Sequence, residues 1–411
     1  MSSPRILAVT NGPGELMGWA RPFVQAVYAR EPFADVTIVF VPCSYATGRE
    51  PDVARALFPR ATVVDAAAYA RFWMKRPVPG MQRGAGVLQY LGGDLYHAAT
   101  IAKRLGLRAL TYKFTKRAYA HAFERFFALD EANAARMRED GAAPDRVRVV
   151  GNLVCDAVLT SFDAPPPAGL GSGVCFMPGS RPYELRGLLP FFLQAARDIA
   201  LARPGTAITF VISPFNTDDE LIGALREPHP ALTGIPGVLS DDGRWIDADG
   251  MRFGVDRSGD YHALAQARLV ISIPGTKMLE AAVLGRPALC ILPTNHVDDI
   301  AMNGVASYLQ YVPLVGRPLK RWVARAYERR WKYIAQPNID ADRPIVKELR
   351  GVLMPADVVA RALGMLSDEA ELRRLGAEMR AVYSAYAGAS GRMAETALAM
   401  ATSSTAAAAA M

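Results

Sequence analysis

Short apolar runs alternate with amphipathic stretches along most of the chain. RILAVT (5–10) is followed by a Gly/Pro turn, by MGWARPFVQAVYAR at helical periodicity, and by DVTIVFVP. ATVVDA, GVLQYLGG, LRALTYK, RFFALD and RVRVVGN read as further strands, with HAATIAKRLG and EANAARMREDG as helices among them. Strand and helix in alternation predict a parallel sheet with right-handed crossovers. FDAPPPAGLGS (162–172) then gathers three prolines and two glycines, the composition of an interdomain linker. Beyond it the alternation resumes with GVCFMP, LLPFFLQAARDIALARP, AITFVIS, DDELIGALRE, RLVISIP, KMLEAAVLG and PALCILP. Polar, glycine-rich 240–260 reads as a hairpin or loop. The expected divisions are an N-terminal α/β domain over 1–165, a second over 173–370, helices over 371–400 packing back on the first domain, and a frayed tail at 401–411.

A length of 411 residues with 51% hydrophobic and 21% charged positions suits two ordinary globular cores. No window is long and apolar enough to span a bilayer, and no signal-peptide pattern precedes the first strand, so a cytoplasmic protein is expected. Cys43, Cys155, Cys175 and Cys290 are far apart and mostly in apolar runs, which fits reduced thiols better than disulfides or a metal site. The net charge of +7 favours an acidic partner. It concentrates at 317–332, RPLKRWVARAYERRWK, where seven basic residues interleave with Trp322, Tyr327 and Trp331. That pattern suits either a solvated helix face or a helix lying on an anionic membrane from the cytoplasmic side. No nucleic-acid motif accompanies it.

Three strand–turn–helix junctions carry the candidate chemistry. In ISIPGTKMLEAAVLG, Gly275 lets a ligand approach the backbone, and the free amides of Thr276, Lys277 and Met278 open a helix whose positive end attracts phosphate. Glu280, one turn further on, has the two acceptor oxygens a ribose diol needs. VCFMPGSRPYELRGLL has the same form, with Ser180 and Arg181 at the turn. Arg181 is a fork-shaped donor for a diphosphate, and Glu184 either caps the helix or orients the arginine. Two such junctions in one parallel sheet belong at its carboxyl edge, where ligands bind. In the first domain TNGPGELMGWA lacks dinucleotide-fingerprint spacing, but it places Glu15 at a helix start as a candidate base. Asp94 in LGGDLYH is the second candidate base and equally a candidate N-cap.

MPGSRPYELRGLLPFF, VGNLVCD, PGTKMLEAAVLGRP and KYIAQPNIDADRPIVKELRG together resemble lipid-A-disaccharide synthase and its relatives, over roughly 5–400. The resemblance implies a GT-B fold, two Rossmann-like parallel-sheet domains facing across a cleft, with C-terminal helices. It further implies metal-free, inverting transfer from a UDP-sugar, the donor substrate, to a lipid-linked or amphiphilic hydroxyl. No cofactor is called for. Family roles fall on Ser180 and Arg181 at the diphosphate, on Gly275, Thr276, Lys277 and Glu280 at phosphate and ribose, and on Asn338 with Glu348. The 162–172 linker would be the hinge. DDIAMNGVA resembles the donor-sugar region of the transferase that glycosylates the peptidoglycan lipid precursor, which brings Asp298, Asp299 and Asn303 to the hexose. The departures lie on the acceptor side: Asn11 and Glu15 stand where the family has glutamate and aspartate, and Asn152-Leu153 replaces its His-Pro. Two alternatives stay open, a UDP-N-acetylglucosamine 2-epimerase and a non-catalytic UDP-sugar-binding protein.

Overall fold

The computed structural model describes residues 3–43, 46–167, 169–295 and 331–409. Asp298, Asp299, Asn303 and almost all of the basic-aromatic run lie outside the described residues. Two compact units emerge, one from residues 1–160 with 385–411, the other from 161–384.

The first unit holds seven strands: β1 (Arg5–Thr10), β2 (Asp35–Phe40), β3 (Thr62–Val64), β4 (Val87–Tyr90), β5 (Arg108–Tyr112), β6 (Arg125–Ala128) and β7 (Val147–Val149). All pairs are parallel, in the order β3-β2-β1-β4-β5-β6-β7. The chain builds outward from β1 to one side and then crosses to β4 on the other, so the topological switch lies between β1 and β4. Leu7, Val9, Val39, Leu88 and Tyr90 pack against Tyr69, Phe72, Leu95, Ile101 and Leu105 from helices Ala66–Trp73 and Leu95–Leu105.

The second unit has an eight-stranded sheet. Its strands are β8 (Gly173–Met177), β9 (Ile208–Val211), β10 (Val238–Leu239), β11 (Trp245–Ala248), β12 (Met251–Asp256), β13 (Ala267–Ser272), β14 (Ala288–Pro293) and β15 (Lys347–Gly351). The order is β10-β11-β12-β9-β8-β13-β14-β15, antiparallel only where β10 to β12 form the hairpin extension expected from the polar 240–260 segment. Here the switch falls between β8 and β13, which pair Met177 with Ser272 at their carboxyl ends. Helix Pro182–Ala202 covers the sheet through Leu185, Leu188, Leu189, Phe192 and Ile199.

The linker is less free than its composition implies. The carbonyls of Pro167 and Gly169 accept hydrogen bonds from the Arg286 guanidinium, a side chain only 1% exposed. At the other end, helix Glu369–Tyr383 stays with the second unit, while the final helix Ala389–Ala409 returns to the first. That helix reaches Ala409 in the alanine-rich tail, and alanine is the strongest helix former. Its docking explains VGNLVCD. Gly151 has φ +96°, and a Cβ there would stand 2.2 Å from the Tyr386 carbonyl oxygen. Buried Asp156 accepts the Gly388 amide at 2.6 Å and the Ser390 amide at 2.5 Å, capping the returning helix.

Candidate functional site

The three junctions singled out in the sequence all fall at the two switch points, where the loops leaving adjacent strands diverge and open a crevice. In the first unit β1 and β4 end on Asn11–Gly12 and Gly92–Gly93. A cavity of about 460 Å³ opens there, lined by Asn11, Glu15, Trp19, Cys43, Asp94 and Phe114 among others. This is the volume range of small-molecule sites. Glycine is needed at 92: a Cβ would sit 2.7 Å from Asn11 Oδ1 and 2.8 Å from Glu15 Cγ, at φ +155°. The Tyr90 hydroxyl ties the turn by donating to the Gly93 carbonyl at 2.7 Å. Burial pushes its pKa well above the ordinary phenol value, so it remains a donor.

Both candidate bases therefore line one cavity, but their situations differ. The exposed Asp94 carboxylate is the N-cap of helix Leu95–Leu105, accepting the Tyr96 amide at 2.9 Å. Glu15 is half-buried and ends a single helical turn, Pro13–Glu15, that passes into a π-helical turn over Leu16–Ala20. Such π turns recur at functional sites because they re-aim side chains. Here Glu15 and Trp19 both reach the cavity. Nothing in hydrophobic periodicity marks a π turn, so Trp19 escaped the sequence reading.

In the second unit, the PGSR and PGTK loops leave the adjacent strands β8 and β13. Their amides are used differently. Glu184 Oε2 accepts the amides of Ser180 at 3.0 Å and Arg181 at 3.1 Å, while Oε1 meets Arg181 Nη1 at 3.2 Å. Glu184 thus both caps the helix and orients the arginine, answering the question its spacing posed. Arg181 Nη1 also donates to the Tyr183 hydroxyl at 2.9 Å. Gly179, at φ +112°, makes room for this carboxylate. Asn216, fully buried and unnoticed in the sequence, donates from Nδ2 to the Ser180 carbonyl at 3.2 Å and anchors the loop from below.

The PGTK loop has no such internal anion. Gly275 caps helix Thr276–Val283 at φ +143° without any side-chain cap, and Thr276 is exposed. Among the described residues the Thr276 and Lys277 amides have no partner, so they are the open pair at the positive end of a helix. Lys277 Nζ holds the nearly buried Glu280 carboxylate at 3.0 Å. Asn338, which the resemblance places at the donor, lies on helix Gln336–Ala341. It is fully buried, Oδ1 accepting the Val346 amide at 2.7 Å and Nδ2 donating to the Val346 carbonyl at 2.9 Å and Glu348 Oε1 at 2.8 Å. Its amide is consumed in tying helix Gln336–Ala341 to β15. Glu348 Oε1 in turn accepts the amides of Ile334 and Ala335.

Among the described residues no cluster of three or more His, Cys, Asp or Glu side chains has metal-binding geometry, and no helix is long and apolar enough to cross a membrane.

No family model matches the sequence. Lipid-A-disaccharide synthase of Pseudomonas fluorescens (strain Pf0-1) is 29% identical over 248 residues, 59% of this chain and 54% of its own. That of Anaeromyxobacter sp. (strain K) is 30% identical over 210 residues, 51% of this chain and 44% of its own. The chain spans about half the length of these curated relatives. Among solved structures, the UDP-GlcNAc 2-epimerase of Neisseria meningitidis bound to UDP-GlcNAc has a TM-score of 0.53 at 14% identity, covering 96% of this chain and 99% of its own. MnaA of S. aureus with UDP has a TM-score of 0.53 at 11% identity, covering 95% of each. At such identity these structures speak to fold, and the fold is the pair of parallel-sheet domains expected from the sequence. The chain is a distant homologue of the lipid-A-disaccharide synthases, built from the two Rossmann-like domains of the GT-B fold.

Proposed function

We propose that the chain is an inverting, metal-independent glycosyltransferase. It moves a sugar of the N-acetylglucosamine type from a UDP-sugar to a hydroxyl of a lipid-linked or amphiphilic acceptor. The observation that carries this reading is the uncapped amide pair of Thr276 and Lys277 at the switch point of the second unit, in a chain homologous to a glycosyltransferase. When UDP leaves, charge develops on its diphosphate. Fixed helix-terminal amides, the Lys277 ammonium and the Arg181 guanidinium stabilise that charge without reorganising. Glu280 accepts the ribose diol, and Asp298, Asp299 and Asn303 stay assigned to the hexose. The two neighbouring structures that hold UDP-GlcNAc or UDP support a uridine-diphosphate donor.

On the first unit, Glu15 takes the proton of the acceptor hydroxyl as it attacks the anomeric carbon. Asp94, already engaged as a helix cap, is the weaker candidate for this role. The basic-aromatic run at 317–332 supports an acceptor presented on an anionic membrane surface.

The test is incubation with UDP-N-acetylglucosamine, with and without bacterial lipid extract, followed by mass spectrometry. The expected result is UDP release and a hexosamine-bearing lipid only when extract is present. UDP-N-acetylmannosamine formed without extract would replace this reading with an epimerase. Donor binding without either product would leave a UDP-sugar-binding protein.

A further inference from the structure

The arginines that hold the linker bring more positive charge than its carbonyls can balance. Arg286 and Arg380 both donate to the Pro167 carbonyl oxygen, Arg380 from Nη2 at 3.2 Å. Arg286 also reaches the Gly169 carbonyl, and Arg380 Nη2 the Leu284 carbonyl at 2.6 Å. Two guanidiniums thus meet on one neutral oxygen. Among the described residues no carboxylate pairs with either of them. Carbonyls satisfy hydrogen bonds but leave the charge uncompensated, and buried charges are normally paired. Burial and then the Arg380 charge lower the Arg286 pKa to about 10, so Arg286 is still a cation at neutral pH.

A cavity of about 440 Å³ adjoins this pair, lined by Arg380, Arg373, Leu170 and Ser384 among others, with no carboxylate in its lining. Arg373 is already held by Glu369 at 2.5 Å. Arg380 Nη1 and the Leu170 amide, by contrast, have no partner among the described residues. The linker precedes β8 and Gly285 precedes β14, so the cavity lies at the amino edge of the sheet. The PGSR and PGTK loops leave the carboxyl edge, on the opposite side. A phosphate group carries close to two negative charges at neutral pH, with several acceptor oxygens. It therefore matches two uncompensated guanidiniums better than a carboxylate does. We propose that this cavity is an anion site for a phosphate group, separate from the donor site, with Arg380 Nη1 and the Leu170 amide as its donors and the Arg286 charge beside them. A bound phosphate joins the linker to helix Glu369–Tyr383, so the order of the linker depends on it. The inference stands apart from the transferase reading.

The test is hydrogen–deuterium exchange of the full chain, read by mass spectrometry on the 162–172 segment. Sodium phosphate and glycerol 3-phosphate are the probes, against sodium chloride at equal ionic strength. Phosphate should slow exchange of the segment saturably, about tenfold at ten times its Kd, and chloride should not. Arg380→Gln keeps a donor for the carbonyls but removes the charge, and should abolish the protection. Arg380→Lys keeps the charge without the fork and should retain part of it. Protection by both probes assigns a phosphomonoester and protection by phosphate alone the free ion; either supports the site. No protection, equal protection by chloride, or protection that survives Arg380→Gln overturns it. Faster exchange in Arg380→Gln with no response to phosphate in the wild type also overturns it, leaving the arginines as ties for the linker. Protection of the 276–283 segment by UDP reports on the transferase reading separately, so the failure of one is distinct from the failure of the other.

Discussion

Gly179→Ala tests the architecture of the donor site most sharply. A Cβ on residue 179 would lie 2.3 Å from Glu184 Oε2, 2.8 Å from its Cβ and 2.9 Å from its Cδ. Rotating the carboxylate relieves the first contact but not the second, so Glu184 must move as a whole. Moving it breaks the bonds to the Ser180 and Arg181 amides. Hydrogen bonds to a charged group contribute about 1.5–3 kcal/mol each, so the loop loses about 3–6 kcal/mol. Forcing φ +112° on an L-residue adds about 1–3 kcal/mol. Local rearrangement of PGSR recovers part of this, leaving a fall in Tm of roughly 5–10 °C for a domain of this size. UDP affinity should fall at least tenfold, because Arg181 is no longer held in place. The assay is a double-mutant cycle with Glu184→Ala, followed by calorimetric unfolding and UDP titration. Glu184→Ala already removes the caps and the contacts to Oε2 and Cδ, leaving only the Cβ contact and the φ strain, so the double variant should lose less than the sum of the two single variants. Additive losses, or a Gly179→Ala protein with wild-type Tm and UDP affinity, would refute the reasoning.

Gly275→Ala should behave oppositely. Nothing lies within 4 Å of its Cβ position, so the loss in unfolding should be limited to about 1–3 kcal/mol, the strain of placing an L-residue at φ +143°. UDP titration should show about tenfold weaker binding as the backbone leaves φ +143° and re-aims the Thr276 and Lys277 amides. Glu15→Gln should lower product formation by about 10²–10⁴-fold while UDP affinity stays within about twofold; retained turnover in the coupled assay would remove Glu15 as the base. Asp156→Ala should cost about 1–3 kcal/mol in urea unfolding by leaving the buried Ser390 amide unpaired, and should expose the final helix to proteolysis. Asp65 caps helix Ala66–Trp73, and the bond from the Ala68 amide holds its pKa below the ordinary carboxylate value. Its stabilisation is complete above that ordinary value and disappears as pH falls through the depressed one. Asp65→Asn should therefore flatten the acid limb of the stability–pH curve, and an unchanged limb would count against the cap.

The α/β alternation was legible because the strands are short apolar runs, many of them closed by glycine or proline, and these signals survive burial on both faces of a parallel sheet. The junctions were legible for the same reason: a glycine between a strand and a helix has few structural alternatives. What escaped was whatever depends on partners distant in sequence. Asn338 reads like a ligand-facing amide in QPNID, yet its partners, Val346 and Glu348, lie across a turn that brings them underneath it. VGNLVCD carries the family resemblance without showing its partners, but Gly151 and Asp156 serve Tyr386, Gly388 and Ser390, more than two hundred residues away. The π turn at Leu16–Ala20 has no periodic signature short enough to detect, and with it Trp19 was missed.

The two proline–glycine junctions of the second unit look alike in sequence, and the structure supplies the rule that separates them. In PGSRPYE the carboxylate stands at the third helical position, the one from which a side chain reaches back to the helix's free amides. In PGTKMLE that position is Met278, which cannot accept, and the carboxylate comes two residues later, turned toward Lys277. The first helix start therefore carries its own anion, and a phosphate entering there would have to displace it. The second offers amides with no internal competitor, beside an ammonium shared with Glu280. A diphosphate placed by these energetics takes its backbone contacts from Thr276 and Lys277 and only a side-chain contact from Arg181. Substitutions at Arg181 should then weaken UDP without abolishing it, and by less than Gly275→Ala, which re-aims the Thr276 and Lys277 amides.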